Sequence, residues 1–102
     1  HHGDCIGADA EAHEIATKIG YQVIIHPPID PKAQAFCKGW HNWPPKPYLE
    51  RNQDIVNCSS ILIATPKGFK EELRSGTWAT VRRGWKAGKP VIIIYPNGKY
   101  NS

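Results

Sequence analysis

From residue 8 onward the chain moves in a helical rhythm. Ala8, Ala12, Ile15, Ala16 and Ile19 recur at three- and four-residue steps, with Asp9, Glu11, Glu14 and Lys18 between them. That spacing predicts an amphipathic helix over 7–19, stopped by Gly20. The next run, YQVIIHPP over 21–28, loses the helical period and is β-branched up to two prolines, which predicts a buried strand. After Pro47 the composition turns helical again over 48–58, and SILIATP over 60–66 predicts a second buried strand. A third helix is expected over 76–87 with Gly88 behind it, then a third strand in PVIIIYP over 90–96. The tail NGKYNS reads as a turn.

Strands that are apolar on both faces and alternate with helices imply a parallel sheet covered by helices and joined by crossovers. The expected fold class is therefore α/β, a Rossmann-like three-layer sandwich with a parallel sheet, in one domain over 1–102. The strand that should feed the first helix is missing, and it is expected before His1. Between 29 and 47 the chain has no clean period and is rich in proline, with Pro31, Pro44, Pro45 and Pro47 following Pro28. An excursion of this length in a compact domain is a binding loop, a lid or a mobile segment.

Composition narrows the class. With 102 residues one core is affordable, and 40% apolar with 22% charged residues is ordinary for a globular protein. The formal net charge of +4 favours anionic partners without separating a nucleotide from a nucleic acid. Three cysteines, Cys5, Cys37 and Cys58, never form a C-x-x-C pair, so neither a disulfide framework nor a thiol-rich zinc site is indicated and a reducing cytosol is the expected setting. The histidines match no common zinc spacing, so no metal is expected. No apolar run approaches the ~20 residues that cross a bilayer.

In doubly wound sheets, ligands collect where strand ends meet helix starts. Three stretches fall there: HHGDCIGAD with Gly3 and Asp4, ATPKG with Pro66, and RSGTW with Ser75, Gly76 and Thr77. Ser75, Gly76 and Thr77 either cradle a phosphate on the helix N-terminus or supply an ordinary Ser cap. Arg51 and Asn52 pair an oxyanion donor with an amide suited to a base edge or a ribose hydroxyl, or else face water. Asp4 and Asp9 serve ribose hydroxyls or capping, and capping is the preferred role for Asp9. Trp40 and Trp43 either stack on a base as a lid or plug the sheet end. Trp78 and Trp85 share one helix face and are expected in the core, while Arg82, Arg83, Lys86 and Lys89 form a basic surface.

Taken together, GDCIGADAEAHEIA, ERNQDIVNCSSILIATP and SGTWATVRRGWKAGKPVIIIY resemble the SLOG superfamily, the Rossmann-like group that includes the LOG phosphoribohydrolases and the DprA DNA-processing proteins. The resemblance covers most of the chain except 29–47 and is closest to small single-domain members. It implies a first strand and part of the nucleotide site before His1, and a dimer through the helices. Gly76 and Thr77 match the Gly-Thr of the hydrolase motif P-G-G-x-G-T-x-x-E, whereas Leu73 and Arg74 replace its earlier glycines and Thr80 its glutamate. Arg51 matches a ligand-site arginine. The resemblance thus implies a binder of a nucleotide or nucleotide-derived ligand, with no further cofactor. Two competing expectations are an N-glycosidase using Asp4 or Glu72 as a relocated acid, and a single-stranded DNA binder using Arg82, Arg83, Lys86 and Lys89.

Overall fold

The computed structural model describes residues 1–101. The element order is α1 (Ala8–Lys18), β1 (Ile24–Ile25), β2 (His41–Asn42), α2 (Tyr48–Cys58), β3 (Leu62–Ala64), α3 (Gly76–Lys86), β4 (Val91–Ile94) and β5 (Tyr100–Asn101). Helices and parallel strand pairs make this an α/β fold. The chain divides into two compact units, one over His1–Ile55 and one from Val56 onward, with α2 running across the division.

In the first unit three backbone segments lie side by side. β1 pairs in parallel with β2, in the register Ile24 to His41 and Ile25 to Asn42, and His2 forms a parallel bridge to Ile25 on the other side. The ladder is short for a covalent reason. Pro27 and Pro28 have no N–H, so the ladder of the run expected as a strand over 21–28 is interrupted after its middle, and pairing resumes only as an isolated parallel bridge between Pro28 and Lys46. β2 lies inside the excursion expected to be irregular. Its side chains are exposed and polar, and the pairing is made by backbone groups that carry no hydrophobic signature, including Trp43 N–H to Ile25 O at 2.8 Å.

The second unit is a three-stranded sheet in the order β3-β4-β5. β3 and β4 are parallel, joined by α3, with Leu62 opposite Val91 and Ala64 opposite Ile93. β5 returns antiparallel to β4 through a turn in which Gly98 N–H donates to Tyr95 O and Tyr95 N–H to Lys99 O, both at 2.8 Å. The tail expected as a turn is therefore a turn plus an edge strand, and the sheet is mixed.

Trp78, Val81 and Gly84 follow one another at helical spacing and form the buried face of α3; Leu62, Val91 and Ile93 of the sheet are likewise buried. Trp85 departs from its expected core position. It is 49% exposed and tilts against Trp78 with ring centroids 6.3 Å apart, because Gly84 holds the sheet contact instead. A Cβ at Gly84 would collide with Leu62 Cδ1 and reach Val91 Cγ2 at 3.0 Å, so helix and sheet approach one another on the absent side chain. The last turn of α2 is closed by Lys89, whose ammonium donates to the carbonyls of Val56, Asn57 and Ser59.

Gly84→Ala is expected to lower stability by about 1–2 kcal/mol in urea unfolding, since overpacking outweighs the roughly 1 kcal/mol that alanine gains in a helix. A neutral or stabilising result would mean that this contact is loose.

Candidate functional site

Within the first unit the sequence-selected residues Gly3, Asp4, Arg51 and Asn52 come together, and all four are buried. Arg51 projects from α2, which starts behind Pro47 as the sequence predicts. Its Nη1 donates to Gly3 O and to His26 O at 3.3 Å, and its Nε donates to Asn52 Oδ1 at 2.8 Å. Both terminal nitrogens lie 3.9 Å from Cys5 Sγ. The Tyr48 ring lies under the guanidinium, 4.9 Å from Cζ. Position 3 must be glycine for this arrangement, because a Cβ there would occupy the space of the guanidinium itself.

Asp4 adopts a left-handed backbone, φ 57°, a conformation that Asp tolerates better than most residues. Its carboxylate reaches into the excursion, where Oδ1 accepts from Cys37 N–H at 2.9 Å and Oδ2 from Gln34 Nε2 at 3.1 Å. Asp9 does not cap α1, contrary to the role expected of it. Gly7 occupies the N-cap with no side-chain hydrogen bond, and Asp9 Oδ2 instead accepts from Gly3 N–H and Cys5 N–H, each at 3.2 Å. Asp9 and Arg51 therefore hold the loop over 3–5, and Asp4 ties it to the excursion.

His26 is a site residue that sequence reasoning passed over. It is 2% exposed, its Nε2 meets His1 Nδ1 at 2.8 Å, its ring packs on Trp43 at 4.6 Å, and its Nδ1 has no partner among the described residues. Burial pushes its pKa down to about 4, with Arg51 and His2 adding to the fall and Asp54 opposing it. Trp43 is thus packed on a buried histidine, with Lys46 Nζ 5.7 Å from the ring, whereas Trp40 is 67% exposed. Burial also raises the Cys5 thiol against the pull of Arg51, so Cys5 is not an activated nucleophile.

The other sequence-selected residues belong to the second unit. Pro66 is buried just beyond β3. Ser75 is the N-cap of α3, with extended backbone, and its Oγ accepts from Trp78 N–H at 3.3 Å. Its hydroxyl is therefore engaged, while the N–H groups of Gly76 and Thr77 have no acceptor among the described residues. Thr80, standing at the glutamate position of the resembled motif, donates its hydroxyl to Gly76 O at 3.1 Å.

The basic surface is largely engaged. Arg82 holds the loop ahead of α3 through Glu71 Oε2 at 2.9 Å and the carbonyls of Glu72 and Leu73. Arg83 Nη1 donates to Ala79 O, and Lys89 closes α2. The three cysteines are free, and no helix among the described residues is long and apolar enough to cross a membrane. No family model, curated protein or solved structure matches the chain.

Two outcomes are expected. Arg51→Met strands the acceptors of Gly3, His26 and Asn52 and is expected to cost about 2–4 kcal/mol in urea unfolding, with Arg51→Lys recovering only part because an ammonium lacks the fork. The folded-state pKa of His26 lies below its ordinary 6.5, so the unfolded chain takes up the proton first. Stability is then full above 6.5 and falls as pH drops towards about 4. In a pH series of urea melts, His26→Asn should flatten that slope.

Proposed function

We propose that the chain binds a nucleotide or nucleotide-derived ligand, with an anionic phosphate on the N-terminus of α3, in a SLOG-like, Rossmann-type arrangement. The observation that carries this reading is the β3–α3–β4 unit. A parallel strand pair is linked by a helix whose first N–H groups, on Gly76 and Thr77, have no protein acceptor among the described residues. Such a terminus combines unsatisfied donors with the positive end of the helix dipole, the combination that holds phosphate in many α/β folds. Gly76 leaves the approach open, since a Cβ placed there would meet no atom within 4 Å.

Two further features support it. Phe69, in the loop after β3, and Tyr95, just past β4, stand nearly parallel, 9° between planes and 6.1 Å between centroids, at the same carboxyl end of the strands. They offer an aromatic surface for a base or another planar group. Ser75 and Arg82 fix the loop in place, so the donors are positioned before any anion arrives. Arg51, oriented by Asn52 Oδ1, holds the loop over 3–5 through Gly3 O.

The enzymatic reading gains no support from Asp4 or Thr80. Both oxygens of Asp4 hold backbone or amide donors, and Thr80 is engaged with its own helix. Nor does the single-stranded DNA reading gain from a basic surface whose Arg82 and Lys89 are tied down.

A melting screen against nucleoside mono-, di- and cyclic phosphates, dinucleotides and ADP-ribose is expected to yield a stabilising ligand, worth about 2.7 kcal/mol at a hundredfold excess over Kd. Gly76→Asp places a carboxylate at the first helical position, which favours the helix by about 0.3–1 kcal/mol and repels an anion. The fold should persist while affinity for that ligand drops about tenfold or more. A flat screen, or undiminished binding by Gly76→Asp, would sink the reading.

A further inference from the structure

We propose that His2, His13 and Cys37 form a binding site for a divalent transition-metal ion of the zinc type. The three residues are 11 and 24 positions apart in sequence, with no motif spacing, yet their ligand atoms lie within 4.8 Å of one another. His2 Nε2 and His13 Nδ1 face each other at 2.9 Å, with the rings edge-on at 89°. All three residues are half-buried.

Each donor is held in place by its surroundings. His2 is fixed by its backbone, donating to Ile24 O at 3.1 Å and accepting from His26 N–H at 2.8 Å, and Asp4 N–H donates to its Nδ1 at 2.9 Å. His13 stands on α1. Cys37 is fixed by its own N–H on Asp4 Oδ1, at 2.9 Å. Asp4 thus orients the His2 ring through its N–H before an ion binds and holds the Cys37 backbone through its carboxylate.

The two ring nitrogens stand near the spacing an ion needs, and Cys37 Sγ, within 4.8 Å of them, has to close in by up to about 1 Å. Bond lengths of about 2.0–2.1 Å to nitrogen and 2.3 Å to sulfur in a tetrahedron place two nitrogens roughly 3.3 Å apart, and a nitrogen and sulfur roughly 3.6 Å apart. The two rings need to separate by only a few tenths of an ångström. Two imidazoles and a thiolate select zinc, cobalt or nickel over magnesium or calcium, which take oxygen donors. Three protein ligands leave a fourth position, and His2 and His13 line a groove of about 490 Å³ with Ala12, Ala16, Tyr21 and Val23 that can supply water or a ligand atom there.

The protons balance. His2 Nδ1 accepts a backbone N–H, so the neutral ring carries its hydrogen on Nε2 and shares it with His13 Nδ1. On binding, that proton passes from Nε2 to Nδ1, which gives up the Asp4 N–H, so both histidines ligate as neutral imidazoles and the ion displaces the Cys37 thiol proton alone. One proton leaves for each ion, with no oxidation or reduction.

The test is a Co²⁺ titration of the reduced chain. The expected result is one equivalent bound with visible bands of tetrahedral cobalt and a near-ultraviolet thiolate-to-cobalt band, both removed by a chelator and displaced by Zn²⁺. Cys37→Ser should abolish the thiolate band, while Cys5→Ser and Cys58→Ser keep it. His13→Asn should weaken binding by about tenfold or more, since even outer-shell changes cost 10- to 100-fold at metal sites. No cobalt binding, or a thiolate band that survives Cys37→Ser or follows another cysteine, would overturn the proposal. Cys37→Ser exchanges a single atom, so this outcome can be read even if His13→Asn does not fold.

Discussion

The first unit depends on one buried cation. Arg51 brings a full positive charge among residues that exclude water, and among the described residues no carboxylate pairs with it. Its compensation is dipolar: the carbonyls of Gly3 and His26, the amide oxygen of Asn52 and the face of Tyr48. An isolated buried charge is costly, and the cost is met only if these groups stay where they are. The cation therefore dictates glycine at position 3, the path of the loop behind it and the end of β1. The two aspartates of that region then serve backbone and amide donors, leaving the guanidinium to the carbonyls.

In the second unit the corresponding constraint is close approach. Gly84 lets α3 settle on Leu62 and Val91, and this fixes which way the rest of α3 faces. Its N-terminus emerges at the carboxyl end of the parallel pair, capped by a serine that leaves the next two donors open. A packing requirement at one end of the helix thus sets up an electrostatic opportunity at the other.

Helices were the legible part of the sequence. α2 and α3 start where Pro47 and Ser75 indicate, because capping chemistry is local and written in a few residues. Strands were legible in position but not in extent. Pairing needs a partner as well as an apolar run, and prolines at 27 and 28 remove the donors that would lengthen β1. β2 and β5 escaped because backbone groups alone make them, with exposed side chains that carry no pattern. Gly3, Asp4, Arg51 and Asn52 were singled out in the sequence as ligand-binding residues, and the structure brings them together as a buried cluster in which Arg51 is engaged with protein acceptors. The cluster of His2, His13 and Cys37 was not singled out, since a loop, a helix and the proline-rich excursion each contribute one donor and no spacing survives in the linear order.

The turn between α3 and β4 has a consequence for how this chain can vary. Lys89 closes the end of α2 with an ammonium that must arrive at three carbonyls at once, and two residues later Val91 begins a strand whose side chains alternate between buried and half-exposed. One added or deleted residue between Gly88 and Pro90 would withdraw the ammonium and turn the alternation of β4 inside out in the same step. Loops ordinarily absorb insertions and deletions, but this one is locked in length by two unrelated requirements.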